Sequence, residues 1–500
     1  MRPSLPLACR IALAAAALLF TGCPKPLEPP ANSAPPHPAV VRLAVVGDPA
    51  LAKQIARVKG EWKARSGADI EIREMSVEEL SAAKPLATDA VIYPADELGS
   101  LAERGSIRPL SAAWLERGGF RKSEVFEPGG LAEAQWGEQT YAIPFGSPVF
   151  VVFYRRDLFD RFHLAPPRTW ADYQRLIESF GDHKKDLPEL SAAAFEPLAS
   201  GWAGRVLLAR AAAYAKHRDY YATLFDNETM APQIASLPFV RALEELVAAA
   251  KSNAAACLAA TPAEARRAFL SGQCTMAMSW PTAADSSSGL SAESRGPNPE
   301  SVLPGFAELP GSTEVYSPKT KSWQLLQADD SSDPRSAISE TRVPSPVSRV
   351  PLLAISGRLG SVAKESASGE FAFQLLAWLS GDEWSGQICP ASPATTLFRR
   401  VHLGQPGRWV EPQIPPAAAK EYAEVVVHSF SQSQWLESPR IPGHAEYMSA
   451  LDDAVRSAVE GKQSAAEALN SAADRWRAIT TRIGLDSQRA AYTRSLGLEP

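Results

Sequence analysis

The sequence predicts an α/β protein of at least two lobes, and three observations carry that prediction. Strand and helix patterns alternate over residues 41–104. About 460 residues remain once an N-terminal leader and linker are set aside, more than one hydrophobic core organises. Of the 500 residues, 45% are hydrophobic, the composition of an ordinary globular body.

In chain order, residues 1–22 read as an export leader, since Arg2 and Arg10 flank the apolar run Ile11–Phe20, which is too short to span a bilayer. Phe20-Thr21-Gly22-Cys23 is similar to a bacterial lipoprotein signal, in which Cys23 becomes the acylated first residue; Phe20 stands where such signals usually carry leucine. The alternative is an ordinary secretory peptide with an incidental Cys23. Residues 24–40, PKPLEPPANSAPPHPAV, hold too much proline for a packed core and predict an extended tether. The expectation is a body anchored by lipid, in the periplasm or on the outer face of the cytoplasmic membrane, because acyl chains on one cysteine suffice for stable anchoring.

Val41–Val46 is apolar and β-branched and stops at Gly47-Asp48-Pro49, after which Leu51–Gly67 carries helical spacing. Ala68–Arg73 alternates like a half-buried strand. Asp89–Ile92 is a short buried strand closed by Tyr93-Pro94, and Asp96–Arg104 resumes helical spacing. This alternation implies parallel pairing, and ligands of such sheets bind beyond the carboxyl ends of the strands, where Asp48 and Tyr93 to Asp96 stand. Residues 148–279 read as mainly helical, with amphipathic stretches at 207–215 and 239–250. A Ser/Gly/Pro loop at 286–299 precedes a hairpin at 314–328, a strand at 347–355, a helix at 371–379 and two helices over 447–483 broken at Gly461-Lys462.

The net charge of −5 makes nucleic acid an unexpected partner. Beyond Cys9 and Cys23 the body holds Cys257, Cys274 and Cys389, an odd number that allows at most one internal disulfide; Cys257 and Cys274 are nearest in sequence. No G-x-S-x-G, H-E-x-x-H, phosphate-loop or C-x-x-C pattern occurs. The seven histidines, at 37, 163, 183, 217, 402, 428 and 444, have no metal-ligand spacing and are expected mostly at the surface. Asp452-Asp453 reads as a solvated helix face rather than an acid/base pair. Neither metal nor cofactor is expected.

Six segments in order resemble the family 1 extracellular solute-binding proteins of ABC importers, the maltose-binding-protein-like group. Asp89–Leu110 looks like that family's strand, ligand loop and helix. Tyr141–Leu158, with Pro166-Pro167-Arg168-Thr169-Trp170, looks like the crossover into the second lobe. Phe269–Trp280 (FLSGQCTMAMSW) is similar to its F-x-x-G-x-x-A-M strand, and Glu370–Ser380, Arg440-Ile441-Pro442-Gly443 and Glu460–Leu469 complete the pattern. The resemblance implies a two-lobe type II periplasmic-binding-protein fold with the ligand held between lobes, lobe 1 at 42–146 and 345–403 and lobe 2 at 147–344 and 404–500. It also implies hinge closure, an ABC permease partner and a monomer.

Sugar recognition needs flat aromatic faces and hydroxyl-binding carboxylates or amides. By the matched motifs the ligand-binding candidates are Asp48, Tyr93, Asp96, Phe145, Ser147, Trp202, Trp280, Thr282 and Tyr447, with Glu196 weaker. Helix N-capping is the alternative role for Asp48 and Asp96, and core packing for Trp202 and Trp280; Trp378 and Trp476 are expected in the core. Glu97 and Pro49 replace an arginine and a lysine of the maltodextrin-binding pattern, so those contacts are not reproduced. The implied function is capture of a mono- or oligosaccharide for import. A sensor or scaffold without transport, and an envelope glycosidase, are the competing readings.

Overall fold

The computed structural model describes residues 39–82, 85–117, 120–183, 187, 190–284, 302–327 and 346–500. The leader, Cys23, residues 24–38 of the proline-rich tether and the 286–299 loop lie outside them; Val40, read as tether, opens the first strand.

Strands β1 (Val40–Val46), β2 (Asp69–Met75), β3 (Ala90–Pro94), β4 (Ile143–Pro144), β5 (Val151–Arg155), β6 (Ala192–Phe195), β7 (Cys274–Ser279), β8 (Pro304–Glu308) and β9 (Arg358–Val362) build two sheets, in the orders β2-β1-β3-β9-β4 and β8-β5-β7-β6. β1 is buried from Leu43 to Val46, as a strand flanked on both sides must be, and runs parallel to β2 and β3 with Leu43 opposite Ile72 and Ala90. β2 buries fewer positions and forms the edge. β9 closes the sheet antiparallel to β3 and β4, placing Gly360 opposite both Ile92 and Ile143. In the second sheet β5 lies antiparallel between β8 and β7, and β6 runs parallel to β7.

The helices that position the site are α1 (Pro49–Arg57), α2 (Leu98–Glu103), α3 (Trp170–Asp182), α4 (Ala203–Ala215), α5 (Leu237–Ala250), α6 (Pro262–Leu270), α7 (Gly369–Leu379), α8 (Pro416–Phe430), α9 (His444–Val459), α10 (Ala465–Ile483) and α11 (Leu485–Ser495). Reciprocal capping boxes start three of them, Thr169 with Asp172, Thr261 with Glu264 and Ser464 with Glu467, satisfying amides that a helix start leaves unpaired. α7 packs on the first sheet and α6 and α8 on the second. α4, α5, α9 and α10 form a helical layer, within which Phe225, Tyr447 and Trp476 stack at 4.8–5.4 Å between ring centres.

Several expectations change. The helix at 51–67 divides at Val58 into Pro49–Arg57 and Lys59–Ser66. Residues 148–279 contain three strands of the second sheet as well as helices. The strand at 347–355 shrinks to Leu352–Leu353, paired with Leu436–Glu437; the sheet strand is RLGSV at 358–362, whose Arg358 and Gly360 hid its burial. α8 and α11 had not been anticipated. Histidines 217, 402 and 444 are buried, not at the surface, each with a side-chain or backbone partner. Cys257, Cys274 and Cys389 are free, buried thiols. Trp476 is fully buried, while Trp378 is half-buried against Trp62 and Trp384.

Only residues 145–150 separate the two sheets at the first crossing. Gly146 (φ 102°) allows it, since a Cβ there would stand 2.5 Å from the Thr396 carbonyl oxygen. Past the crossing, Asp96, which follows β3, meets Arg205, which follows β6 by ten residues, so the carboxyl ends of these two strands lie near one another.

Candidate functional site

Beyond β3 the chain makes a 3-10 turn, Ala95–Glu97, and enters α2, so Asp96 and Glu97 stand at the carboxyl end of the first sheet. The first turn of α4 brings Arg205 to them. Its Nη2 donates to Asp96 Oδ2 at 2.7 Å, and both side chains are largely shielded from solvent. His444, opening α9, lies with Nε2 3.5 Å from Glu97 Oε1, while its Nδ1 is 3.3 Å from Ser100 Oγ. Burial raises the Glu97 carboxyl above its ordinary pKa, partly opposed by the charge of His444.

Beside this polar group lie three aromatic rings. Trp202, Trp280 and Phe150 sit with centroids 5.5–6.3 Å apart in tilted and edge-on contacts. Trp280 is held twice: its carbonyl accepts from Arg266 Nη1 at 2.8 Å, and its Nε1 donates to the Pro393 carbonyl at 3.1 Å. Arg266 is anchored in turn by a buried ion pair with Glu411. The Arg205 guanidinium stands 5.6 Å from the Trp202 ring centre, within cation–π range. Flat apolar faces beside a carboxylate and a guanidinium can stack on the carbon face of a polyhydroxylated molecule and hydrogen-bond its hydroxyl groups.

The start of α4 owes its position to Asp452. Its Oδ2 accepts from the Gly201 amide at 2.5 Å and its Oδ1 from the Gly204 amide at 2.6 Å. Gly204 lies in a tight approach, because a Cβ there would lie 3.1–3.2 Å from Met448 Cε, Asp452 Oδ1 and Leu451 Cβ. Asp452 is therefore a buried positioning group and not the solvated face the sequence suggested.

The other predicted residues divide. Asp48 caps α1 through Oδ1 to the Leu51 amide at 3.0 Å, while Oδ2 accepts from Arg358 Nε at 2.9 Å and from Ser392 Oγ. It reaches the aromatic group indirectly, since Ser392 precedes the Pro393 carbonyl that takes the Trp280 N–H. Thr282 is buried two residues past Trp280 and accepts from the Ala284 amide. Ser147 is buried in the crossing, against Gly357. Tyr93, Phe145 and Tyr447 are wholly buried: Tyr93 pairs with Ser361 at 2.7 Å, Phe145 packs on Gly360, and Tyr447 pairs with Thr480 at 2.8 Å. Glu196 is also interior, bound to Arg210 at 2.8 Å, with that guanidinium 3.9 Å from the Trp170 ring centre. The structure thus groups Asp96, Trp202 and Trp280 and adds Arg205, Phe150, His444 and Asp452. Arg205 follows Trp202 by three residues, one helical turn, which is the signal that could have found it.

Among the described residues no His/Cys/Asp/Glu cluster could hold a metal ion, and no helix is long and apolar enough to cross a membrane.

Comparison with solved structures supports this fold. The chain is similar to a ribitol-bound ABC transporter solute-binding protein of Agrobacterium radiobacter K84, with 17% identity, TM-score 0.60, and coverage of 88% of this chain and 98% of that one. It is similar to maltose-bound MalE3 of T. maritima, with 17% identity, TM-score 0.61, and coverage of 88% and 99%. The sugar-binding protein MalE of Xanthomonas citri gives 15% identity, TM-score 0.64, and coverage of 90% and 99%. No curated protein sequence matches the chain significantly. The model of the bacterial extracellular solute-binding proteins matches residues 80–385, more than half of the chain and including Asp96, Phe150, Trp202, Arg205 and Trp280, and the chain belongs to that family.

Proposed function

We propose that the protein is the lipid-anchored binding component of an ABC importer, which captures a sugar or polyol between its lobes and delivers it to a membrane permease. One observation carries this reading: Asp96 and Arg205, contributed by opposite lobes, meet beside Trp202, Trp280 and Phe150. Opening the lobes separates that ion pair and uncovers the rings; a ligand with hydroxyl groups and a flat carbon face substitutes for both contacts on closure. Similarity to structures holding ribitol and maltose supports a polyol or sugar over other solutes. The reading is a binding and not a hydrolytic one, because Asp96 is engaged by Arg205 and Glu97 by His444. The leader, Cys23 and the tether supply export and anchorage, and the protein acts as a monomer.

A thermal-shift series with ribitol, mannitol, maltose, amino acids and short peptides tests the proposal. A ligand confined to the native state at about 100 times its Kd stabilises by about 2.7 kcal/mol, so a sugar or polyol raises the melting temperature without being consumed. A response restricted to amino acids or peptides, or turnover of the sugar, defeats the reading.

A further inference from the structure

Away from the aromatic and ion-pair group, a cavity of about 510 Å³ opens between segment 433–441, the loop 216–225 and residues 492–497, with Ala132 and Gln135 also on its wall. It shares no lining residue with the aromatic and ion-pair group described above. Its size falls within the ordinary range for small-molecule sites. Trp435 and Tyr492 give it aromatic wall, and Lys216, Arg218 and Arg440 outnumber the one carboxylate on its lining, Glu437.

The polar groups here are incompletely satisfied. Arg440, 2% exposed, donates from Nη1 to the Glu133 carbonyl and from Nη2 to Glu437, yet its Nε has no hydrogen-bond partner. Thr223, 6% exposed, has an unpartnered hydroxyl. Lys216 has its Nζ hydrogen-bonded only to the neutral Tyr221 carbonyl, at 2.8 Å, and burial lowers its pKa despite the charge of Glu437. Glu437 is already bound to Arg440, so Lys216, which is half-buried, has no ion pair of its own among the described residues. Buried donors of this kind are costly unless something accepts from them.

We infer that this cavity is a second ligand site, which takes a small carboxylate carried on a ring with an apolar face, its charge on Lys216 and its ring against Trp435 and Tyr492. An aromatic acid and a uronic acid share that chemistry. The site does not depend on the sugar reading of the lobe interface, since the two share no residue.

The test uses the purified full-length chain with benzoate, 4-hydroxybenzoate and glucuronate, in thermal shift and equilibrium dialysis, with sodium chloride at matched ionic strength as control. At least one acid is expected to raise the melting temperature by several degrees. That response is expected to fall at least tenfold in apparent affinity in Lys216→Met and to persist in Trp280→Ala. Lys216→Met keeps the bulk of the side chain; should it not fold, Thr223→Val carries the same comparison. Binding of benzoate but not glucuronate, or the reverse, decides between the two ring types, and either supports the site. Absence of any response, retention of full affinity in Lys216→Met, or loss of the response in Trp280→Ala overturns it; the last places the acid between the lobes. A ribitol response that vanishes in Trp280→Ala but survives Lys216→Met reports on the lobe interface alone.

Discussion

Asp96 and Arg205 join the turn beyond β3 to the start of α4. Both are only about one-sixth exposed, so their attraction is screened less than that of a surface pair. A double-mutant cycle with Asp96→Asn and Arg205→Gln, read by chemical denaturation without ligand, should give a coupling of about 1 kcal/mol, and Asp96→Asn should weaken sugar binding. A coupling near zero would show that the two groups do not hold the lobes together. Glu133 makes a separate statement through pH. It is 1% exposed, accepts from the Ala354 amide at 2.6 Å, and burial pushes its carboxyl up to about 7. A folded pKa above the unfolded value means that the native state binds the extra proton, so Glu133 contributes stability that is complete below about pH 4.5 and lost as pH rises through about 7. Relative to the parent, Glu133→Gln should therefore gain about 3 kcal/mol between about pH 4.5 and about pH 8. A pH-independent difference would place Glu133 in a solvated setting. Ala354, which Glu133 holds, has φ 55°, a left-handed conformation costing an alanine about 1–2 kcal/mol, at the segment that pairs Leu352–Leu353 with Leu436–Glu437.

At the scale of elements, α4 is the piece that carries the site, and Asp452 on α9 fixes its start. Asp452→Ala leaves the Gly201 and Gly204 amides without their acceptor and should cost about 2–3 kcal/mol in denaturant unfolding, with a loss of ligand affinity because Trp202 and Arg205 ride on that turn. Unchanged stability would mean that the turn is held by packing alone. Much of this element-level order was legible in the sequence. The β1–α1 and β3 patterns, the hairpin and the break at Gly461-Lys462 all follow from apolar spacing and turn residues, and Trp202 and Trp280 stood out by type. What was hidden depended on tertiary partners. Strand 358–362 carries an arginine that is buried only because Asp48, 310 positions away, receives it. Asp452 looked solvent-facing because its partners are backbone amides of another helix. Tyr93 and Tyr447 looked available because a hydroxyl's internal partner, Ser361 or Thr480, cannot be read from one chain segment.

Across the whole molecule, α11 acts as a strap. Its Tyr492 hydroxyl accepts from the amides of Thr223, Leu224 and Phe225 at 3.1–3.4 Å, next to the helical layer of the second lobe. Two residues on, Arg494 makes a two-toothed ion pair with Glu103 at the end of α2, at 2.6 and 2.7 Å, and its carbonyl accepts from the Gly137 amide at 2.8 Å. Arg494→Ala should leave the melting temperature nearly unchanged, since both partners are partly solvated, yet speed hydrogen exchange in residues 98–103 and 133–137. Exchange indistinguishable from the parent would assign the strap no role in holding the lobes. Capture of a sugar or polyol is tested by calorimetric titration of the parent and Trp280→Ala with ribitol, mannitol and maltose, with recovery of the sugar afterwards. One of them should bind saturably at one site per chain, with affinity at least about tenfold weaker in Trp280→Ala, worth about 1.4 kcal/mol, and be recovered intact. Equal affinity in parent and variant, or sugar recovered as a cleavage product, would contradict it.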